Sequence, residues 1–331
     1  MKNDIDLVVT WVDGSDPAWL AQRKKYALEK DRENYSWTCR DWGWMRYWFR
    51  GVEQNLPWIR KIHFLTWGHL PQWLNANHPK LHIVKHEDFI PAEFRPTFSA
   101  NPIELNVHRI EGLSEQFIYT NDDIIFTGSI ASDYYFQDGH PCDCLCLRPI
   151  TESCKDGFGH ILWNNIACIN RQFSLRECME KNKEKWFAPS YPLEVLKRNV
   201  AGYELRHFSG FRDEHLPIPF LKSTFAEVWE TVPQLLRSTC NHRFRSNEDV
   251  SDWLVRYWQL AKGEFVPRSP LGKAVSVTSS PEFLRDTILN PLNPVICLNE
   301  GTDEIDFEER SAYLRSLLDI VLPQMSSFEL Y

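Results

Sequence analysis

Residues 114–126, Ser-Glu-Gln-Phe-Ile-Tyr-Thr-Asn-Asp-Asp-Ile-Ile-Phe, set two adjacent carboxylates, Asp122 and Asp123, between two apolar runs. Paired acids beside hydrophobic strands are unfavourable unless something offsets their desolvation and mutual repulsion. At the tip of an α/β strand the usual partner is a hard divalent cation, often carrying a phosphate. Asp122 and Asp123 are therefore candidate ligands for Mg²⁺ or Mn²⁺. The alternative is structural, an Asx turn that caps the next element.

Two further segments carry groups that suit such a site. Between Arg206 and Leu221 lie His207, Arg212, Asp213 and His215, followed by Pro217 and Pro219. The prolines stiffen the backbone after His215 and deny it a helix, which suits a histidine that exchanges a proton near neutral pH. Thirty residues on, Arg243-Phe244-Arg245-Ser246-Asn247-Glu248-Asp249 offers arginines that can grip a phosphate through two parallel hydrogen bonds. Glu248 or Asp249 could orient them or bind metal. A metal carboxylate, an arginine clamp and a proton-accepting histidine together describe phosphoryl transfer.

The elements that must position these groups read as alternating strands and helices. Asp4 to Val12 predicts a buried strand ending in the turn Asp13-Gly14-Ser15-Asp16-Pro17, where Gly14 allows close backbone approach to a phosphate. Helices are predicted from Pro17 to about Lys30, from Trp44 to Asn55 before Pro57, and from Glu104 to Ile110. Strands are predicted at Lys61–Trp67, Leu81–Val84 and Phe117–Thr120. This alternation favours a parallel, doubly wound sheet, with ligands beyond the carboxyl ends of its strands. Asp13-Gly14, Gly68-His69, Glu87-Asp88 and Asp122-Asp123 all fall at such ends, so they are expected to meet in one crevice. Residues 131–200 look less regular, apart from a mixed-charge helix over 172–187 whose lysines read as a solvated face. A C-terminal helix is predicted over 305–321, with Phe307, Tyr313, Leu314, Leu317 and Leu318 on its apolar side.

Composition narrows the class. Among 331 residues, 43% are hydrophobic and 25% charged, ordinary values for a globular chain. The 14 Trp and 20 Phe suggest stacking surfaces as well as core. A net charge of −8 argues against a general binder of nucleic acid or anionic membrane, because both need a basic face. The sequence presents no signal peptide and nothing near the ~20 apolar residues of a membrane-spanning helix. The expectation is a cytoplasmic protein, at most peripheral at the inner face of a membrane. Nine cysteines exclude a full disulfide framework, and free thiols are the expectation. Cys142, Cys144 and Cys146 alternate, with Cys154 nearby, so a zinc site is conceivable, although paired Cys-x-x-Cys knuckles are absent.

At these residues the chain resembles the Stealth proteins, bacterial sugar-1-phosphate transferases of capsule and cell-wall glycans, related to the animal N-acetylglucosamine-1-phosphotransferase. The first block is Ile5 to Pro17. The second runs from Arg40-Asp41 through Arg50-Gly51-Val52-Glu53, Pro57-Trp58-Ile59-Arg60-Lys61-Ile62, Val84-Lys85-His86-Glu87-Asp88, Ile103-Glu104 and His108-Arg109-Ile110 to Asn121-Asp122-Asp123. The third spans His215 to Pro219 and Arg243 to Asp249, and the fourth is Ile296-Cys297-Leu298-Asn299-Glu300 with the tail from Pro323 to Leu330. These blocks lie within 4–19, 36–130, 205–250 and 291–331, more than half of the chain. Three positions depart from the family pattern: Trp67 where many members have Asn, Thr120 where Leu is more usual, and Glu300 where Asp is.

The resemblance implies a Rossmann-like α/β fold, with a mainly parallel sheet as core and an added helical region. It divides the chain into 1–130 for nucleotide-sugar binding, 131–204 as an inserted acceptor region, and 205–331 as the rest of the catalytic core. It further implies transfer of a hexose or N-acetylhexosamine 1-phosphate from a UDP-sugar to a glycan or lipid-linked oligosaccharide, with release of UMP and no role for nucleic acid. The family's essential acid matches Asp123, its histidine His215 and its arginine Arg245. Substrate contacts are expected from Asp6, Trp11, Asp13, Gly14, Arg50, Glu104, His108, Arg109 and Arg212. Which acid binds metal and which group is the base stays open at this level. Two other readings compete: a metal-dependent glycosyltransferase that releases UDP, and a non-catalytic glycan-binding module built on the tryptophans.

Overall fold

The computed structural model describes residues 4–27, 41–152, 157–300 and 306–331. Its frame is a five-stranded sheet in the order β3-β2-β1-β4-β8. Four strands are parallel: β1 (Ile5–Thr10), β2 (Ile62–Thr66), β3 (Leu81–Lys85) and β4 (Gln116–Thr120). After Asn121-Asp122-Asp123 the chain leaves this sheet as β5 (Ile124–Phe126). Then come the small β6 (Phe136–Gln137) and β7 (His140–Asp143), and the edge strand β8 (Ile218–Leu221), which runs antiparallel to β4. The later strands are β9 (Val266–Pro267), which extends the small sheet, β10 (Lys273–Ser276) and β11 (Val295–Asn299). β10, β11 and β5 form a second three-stranded sheet, so β5 ties the acidic turn to the C-terminal part of the chain.

Strand alternation explains the two cores. Successive side chains point to opposite faces of the sheet. Ile5, Leu7, Val9, Phe64 and Ile118 therefore bury one face, against the helix Met45–Asn55 and the C-terminal helix Phe307–Val321. Val8, Leu65, Phe117, Tyr119 and Phe220 bury the other, under the helices Lys222–Thr231, Trp253–Lys262 and Gly157–Gln172. Covering both faces is what a mainly parallel sheet requires. The Met45–Asn55 helix crosses β5 so closely that a side-chain carbon at Gly51 would overlap the Phe126 carbonyl oxygen.

Several expected boundaries shift for identifiable reasons. The helix expected at Glu104–Ile110 is instead a helix over Ala100–Leu105 followed by a 3₁₀ turn, Val107–Arg109. Asn106 separates them: its side chain donates to the Pro102 carbonyl at 2.8 Å and accepts from Arg109 Nε at 2.9 Å, competing with helix continuation. The helix expected over 172–187 divides into Leu175–Lys181, capped by Ser174, and Lys183–Trp186. Its Lys185 is not free in solvent, since Nζ donates to the Gly263 carbonyl at 2.5 Å. Much of 131–200 is more regular than expected, because Gly157–Gln172 and Leu193–Ala201 are both helical.

The C-terminal tail is held by charge. Glu329, with its side chain fully buried, accepts from Arg50 Nε at 2.9 Å and from Arg50 Nη2 at 3.0 Å, and Arg46 Nη1 lies 3.3 Å away. Main-chain bonds from Asn75 to Phe328 and from Leu330 to Trp73 lay the tail across the loop after β2. Removing one partner of a buried pair leaves a charge uncompensated, typically at a loss of about 3 kcal/mol. Glu329→Ala is expected to lower the unfolding free energy by about that much in urea titration. An unchanged midpoint would mean that the tail is not anchored through this carboxylate.

Candidate active site

The register of one strand pair builds the site. β8 runs antiparallel to β4 with Ile218 opposite Tyr119, so the residues just before β8 arrive beyond the carboxyl end of β4. His215 is thereby carried to the acidic turn. Its Nε2 lies 3.3 Å from Asn121 Nδ2 and 4.0 Å from Asp123 Oδ2. His215 adopts a φ of 50°, a left-handed conformation uncommon outside glycine, and strain of this kind concentrates at functional sites. From the other side β11 meets the same turn: the Leu298 amide donates to the Asp123 carbonyl at 2.9 Å, and Cys297 Sγ donates to Asp123 Oδ2 at 3.4 Å.

Asp123, His215 and Cys297 form a group able to hold a metal ion, with their donor atoms within 4.8 Å of one another. Burial pushes the Asp123 carboxyl up, while the nearby His215 and the Cys297 hydrogen bond pull it back. Its Oδ1 is buried and has no protein partner, as expected of an oxygen that awaits one. Crowding by surrounding protein pushes Asp122 up to about 7, with further repulsion from Asp123 and Asp41, although its side chain keeps solvent access that tempers the shift. The two carboxylates offer the oxygen donors that suit a hard cation, whereas Cys297 and His215 are softer donors.

A second acidic layer lies beneath. Glu104 is buried and accepts from Tyr119 OH at 3.2 Å, and Tyr119 OH also meets Thr10 Oγ1 at 3.0 Å. Burial raises Glu104, opposed by the charge of Arg245 and by hydrogen bonds from Tyr119 and Asp252. Asp252, buried beside it, is pushed well above the carboxylate range by burial and by Glu104. Arg245 is solvent-exposed on the loop after the helix Pro233–Asn241. Asp249 pins that loop from within: it accepts from His242 Nδ1 at 2.7 Å, from Asn101 Nδ2 at 3.0 Å and from the Ser246 amide at 2.9 Å. Phe244 stacks on Phe98, and the Phe98 amide donates to the Arg243 carbonyl at 2.7 Å.

The loops after β1 and β2 also converge: the Asp13 amide donates to His69 Nε2 at 2.7 Å, and Trp11 packs edge-on against the same ring. Gly14 is buried beside them. At the end of β3, by contrast, Asp88 caps its own turn through the Lys85 amide and Glu87 is exposed.

Other expected contact residues sit elsewhere. Asp6 lies at the amino end of β1, the opposite edge from the crevice. Burial alone would raise its carboxyl, but bonds from His63 Nε2 at 3.0 Å and Arg60 Nε at 2.8 Å hold it below the usual range. Arg50 serves Glu329, whereas Arg212, paired with Glu194 at 2.6 Å, lines a cavity that His215 also borders. His108 stacks on Phe225, and Arg109 lies over Trp229 at 4.9 Å. The departures from the family pattern are internal contacts: Trp67 Nε1 donates to Gln22, Thr120 accepts from Trp48 Nε1, and Glu300 accepts from Trp42 Nε1. The seven described cysteines are free and buried. Burial pushes the Cys142 and Cys144 thiols up to about 11 and about 12, and among the described residues they form no metal-capable group, while Cys154 lies outside those residues. Cys297, Asp252 and Tyr119 were missed as site residues. Cys297 was visible only as a member of the fourth family block, with no role attached, and Asp252 only as the acid before Trp253.

The amino-terminal segment 3–31 matches Stealth protein conserved region 1, and 38–142 matches conserved region 2. The capsular polysaccharide phosphotransferase WcwK of Streptococcus pneumoniae is 38% identical over 332 residues, covering 99% of this chain and 100% of its own. The receptor polysaccharide phosphotransferase WefC of Streptococcus oralis is 37% identical over 336 residues, at 99% and 100% coverage. A solved galactosyltransferase, LgtC, aligns over 97% of this chain and 98% of its own at 9% identity with a TM-score of 0.38, a likeness on which nothing further rests. The protein is a transferase. It belongs to the Stealth family. Among the described residues no helix is long and apolar enough to cross a membrane.

His108 gives the site's surroundings a pH signature. Burial, reinforced by Arg109 and Lys222, depresses its ring to about 3, against 6.5 in an unfolded chain. Folding therefore favours the neutral ring, so its contribution is fully present above about 6.5 and is lost as pH falls toward about 3. His108→Phe, which keeps the stacking surface, is expected to flatten the decline in urea midpoint between neutral pH and pH about 4. An equally steep decline in the variant would show that other groups set the acid limit.

Proposed function

We propose that this chain transfers a sugar-1-phosphate from a UDP-hexose or UDP-N-acetylhexosamine to a hydroxyl of a surface polysaccharide or its lipid-linked precursor. The observation that carries the reading is His215 held against Asp123 by the β4–β8 pairing, in a crevice that Arg245 overlooks. WcwK and WefC, which are named as polysaccharide phosphotransferases and match along their whole length, agree with it.

In this reaction the acceptor oxygen attacks the phosphorus that bears the sugar. The P–O bond to the second phosphate breaks, and UMP departs with the bonding electrons. His215 Nε2 takes the hydroxyl proton, and Asp123 favours the imidazolium that forms. Arg245, facing solvent on its pinned loop, is placed to accept the diphosphate, while Glu104 below it orients its charge. Asp122 and Asp123 would hold Mg²⁺ or Mn²⁺, which would supply charge neutralisation at the diphosphate. Trp11, Asp13 and Gly14 form the donor side. The other reading, a glycosyltransferase, breaks the sugar–oxygen bond and releases UDP.

The deciding experiment is the nucleotide product. The protein is incubated with a panel of UDP-sugars, divalent metal and a glycan extract, and UMP is resolved from UDP. Metal-dependent UMP that disappears with Asp123→Asn is the expected result, whereas UDP would make the enzyme a glycosyltransferase. Asp123→Asn, His215→Ala and Arg245→Ala are each expected to lower turnover at least ~100-fold while leaving the unfolding midpoint near wild type. Near-normal turnover in any one of them removes that residue from the mechanism.

A further inference from the structure

A cavity lies beside His215, and neither Asp122 nor Asp123 is among the residues that line it. Its walls include Tyr134, Tyr135, Asp213, Trp253 and Arg268, and His215 forms the boundary it shares with Asp123. Two aromatic rings are presented here: Tyr134, half-buried, and Trp253, which stands edge-on to His215 with ring centres 6.5 Å apart. Arg268 is fixed by donating Nε to the Cys142 carbonyl at 2.7 Å, with its guanidinium 3.8 Å over Tyr134 and 5.5 Å from Tyr135. Tyr135 is 1% exposed, yet its hydroxyl has no protein partner. An unpaired buried hydroxyl is unfavourable by itself and is explained when a ligand completes it.

From these features we infer that the cavity is the acceptor subsite and takes a neutral pyranose ring of the glycan. The claim rests on the phosphotransfer reading for what happens next, but not for the binding itself. Aromatic faces and isolated hydrogen-bonding groups are the chemistry that recognises a sugar, which is apolar on its ring faces and hydroxylated at its rim. The negative members of the wall are already neutralised: Asp213 pairs with Arg256 at 2.6 Å and with Tyr257, Asp143 pairs with Arg256 at 2.7 Å, and Glu214 pairs with Arg212 at 2.5 Å. What remains is the Tyr135 hydroxyl, the ring faces, the imidazole and the Arg268 guanidinium, which can donate hydrogen bonds to a sugar hydroxyl. A sugar seated on Trp253 places a rim hydroxyl at His215 from one side, while the donor phosphates occupy the Asp123 side. The imidazole can then take the proton as that hydroxyl oxygen attacks the phosphorus.

The test reads binding without turnover. A set of methyl hexopyranosides and methyl N-acetylhexosaminides is presented to the full chain at millimolar concentration, and saturation-transfer NMR reports ring protons in contact with protein. At least one sugar is expected to bind. Tyr135→Phe is expected to weaken it about 5-fold, the effect of one lost hydrogen bond. Trp253→Leu should weaken it further. Both variants are checked for a wild-type unfolding midpoint. Added UMP should leave the signal in place. Absence of binding by any sugar, equal binding in folded variants, or displacement by UMP would each overturn the proposal, the last by assigning the cavity to the nucleotide. Sugar binding that depends on Tyr135 without any UMP release would instead refute the phosphotransfer reading alone.

Discussion

The site depends on a reversal of chain direction at the sheet edge. Four parallel strands deliver their carboxyl ends to one side, but parallel strands alone cannot bring a distant segment back to that side without another crossover. β8 solves this by adding antiparallel to β4, so the chain enters the strand where β4 leaves it. An edge strand also tolerates Pro219, which a central strand would not. The free edge is blunted by Gln259, whose side chain accepts from the Leu221 amide at 3.2 Å and donates to the Pro219 carbonyl at 3.3 Å. The register is therefore fixed on both flanks of the strand. A slip by one residue would turn Phe220 out of the core and carry His215 away from Asp123.

Charge balance follows from that placement. Asp122, Asp123, Glu104 and Asp252 crowd the carboxyl ends of β4 and the neighbouring helix; burial raises all four, with Asp123 adding to the rise of Asp122 and Glu104 to that of Asp252. Arg256 is nearby and buried, but Asp143 and Asp213 saturate it. A diphosphate entering this crevice brings further negative charge, so the crevice as built repels its proposed donor unless cations enter with it. Arg245 on its pinned loop and a divalent ion at the Asp122–Asp123 turn are the available counter-charges. Pinning by Asp249 explains how an exposed arginine can still be aimed, because the loop backbone is held even where the side chain is not.

Much of this was legible in the sequence, and the exceptions have physical causes. The four parallel strands were readable because each is a short apolar run bounded by turn residues. Their carboxyl-end acids followed once the sheet was taken as parallel, although Glu87 and Asp88 then proved to serve only their own turn. The direction of β8 was not readable, since Ile-Pro-Phe-Leu carries no sign of orientation. The pairing of Asp6 with Arg60 and His63, or of Arg50 with Glu329, was hidden for a different reason. A motif reports which residues matter without separating those that touch substrate from those that hold the scaffold. Asp6 and Arg50 stand in the family blocks beside Asp13 and Gly51, and only distance in the fold sets them apart. Cys297 was obscured by its own chemistry, because a thiol inside Val-Ile-Cys-Leu reads as a small core residue.

The placement of His215 between two spaces bears on which bond the proposed reaction breaks. A glycosyl transfer places its electrophile at the sugar carbon, so the acceptor must approach that carbon rather than the phosphorus beside it. A phosphoryl transfer places it at the phosphorus nearest the sugar, in line with the departing UMP oxygen. His215 separates the acidic turn from the Tyr134–Trp253 cavity and borders both. An acceptor hydroxyl coming from the cavity therefore meets the imidazole first and whatever the acidic turn holds next. If the turn holds the diphosphate through its cation, the atom facing that hydroxyl is phosphorus, and the proton acceptor already stands on the line of approach.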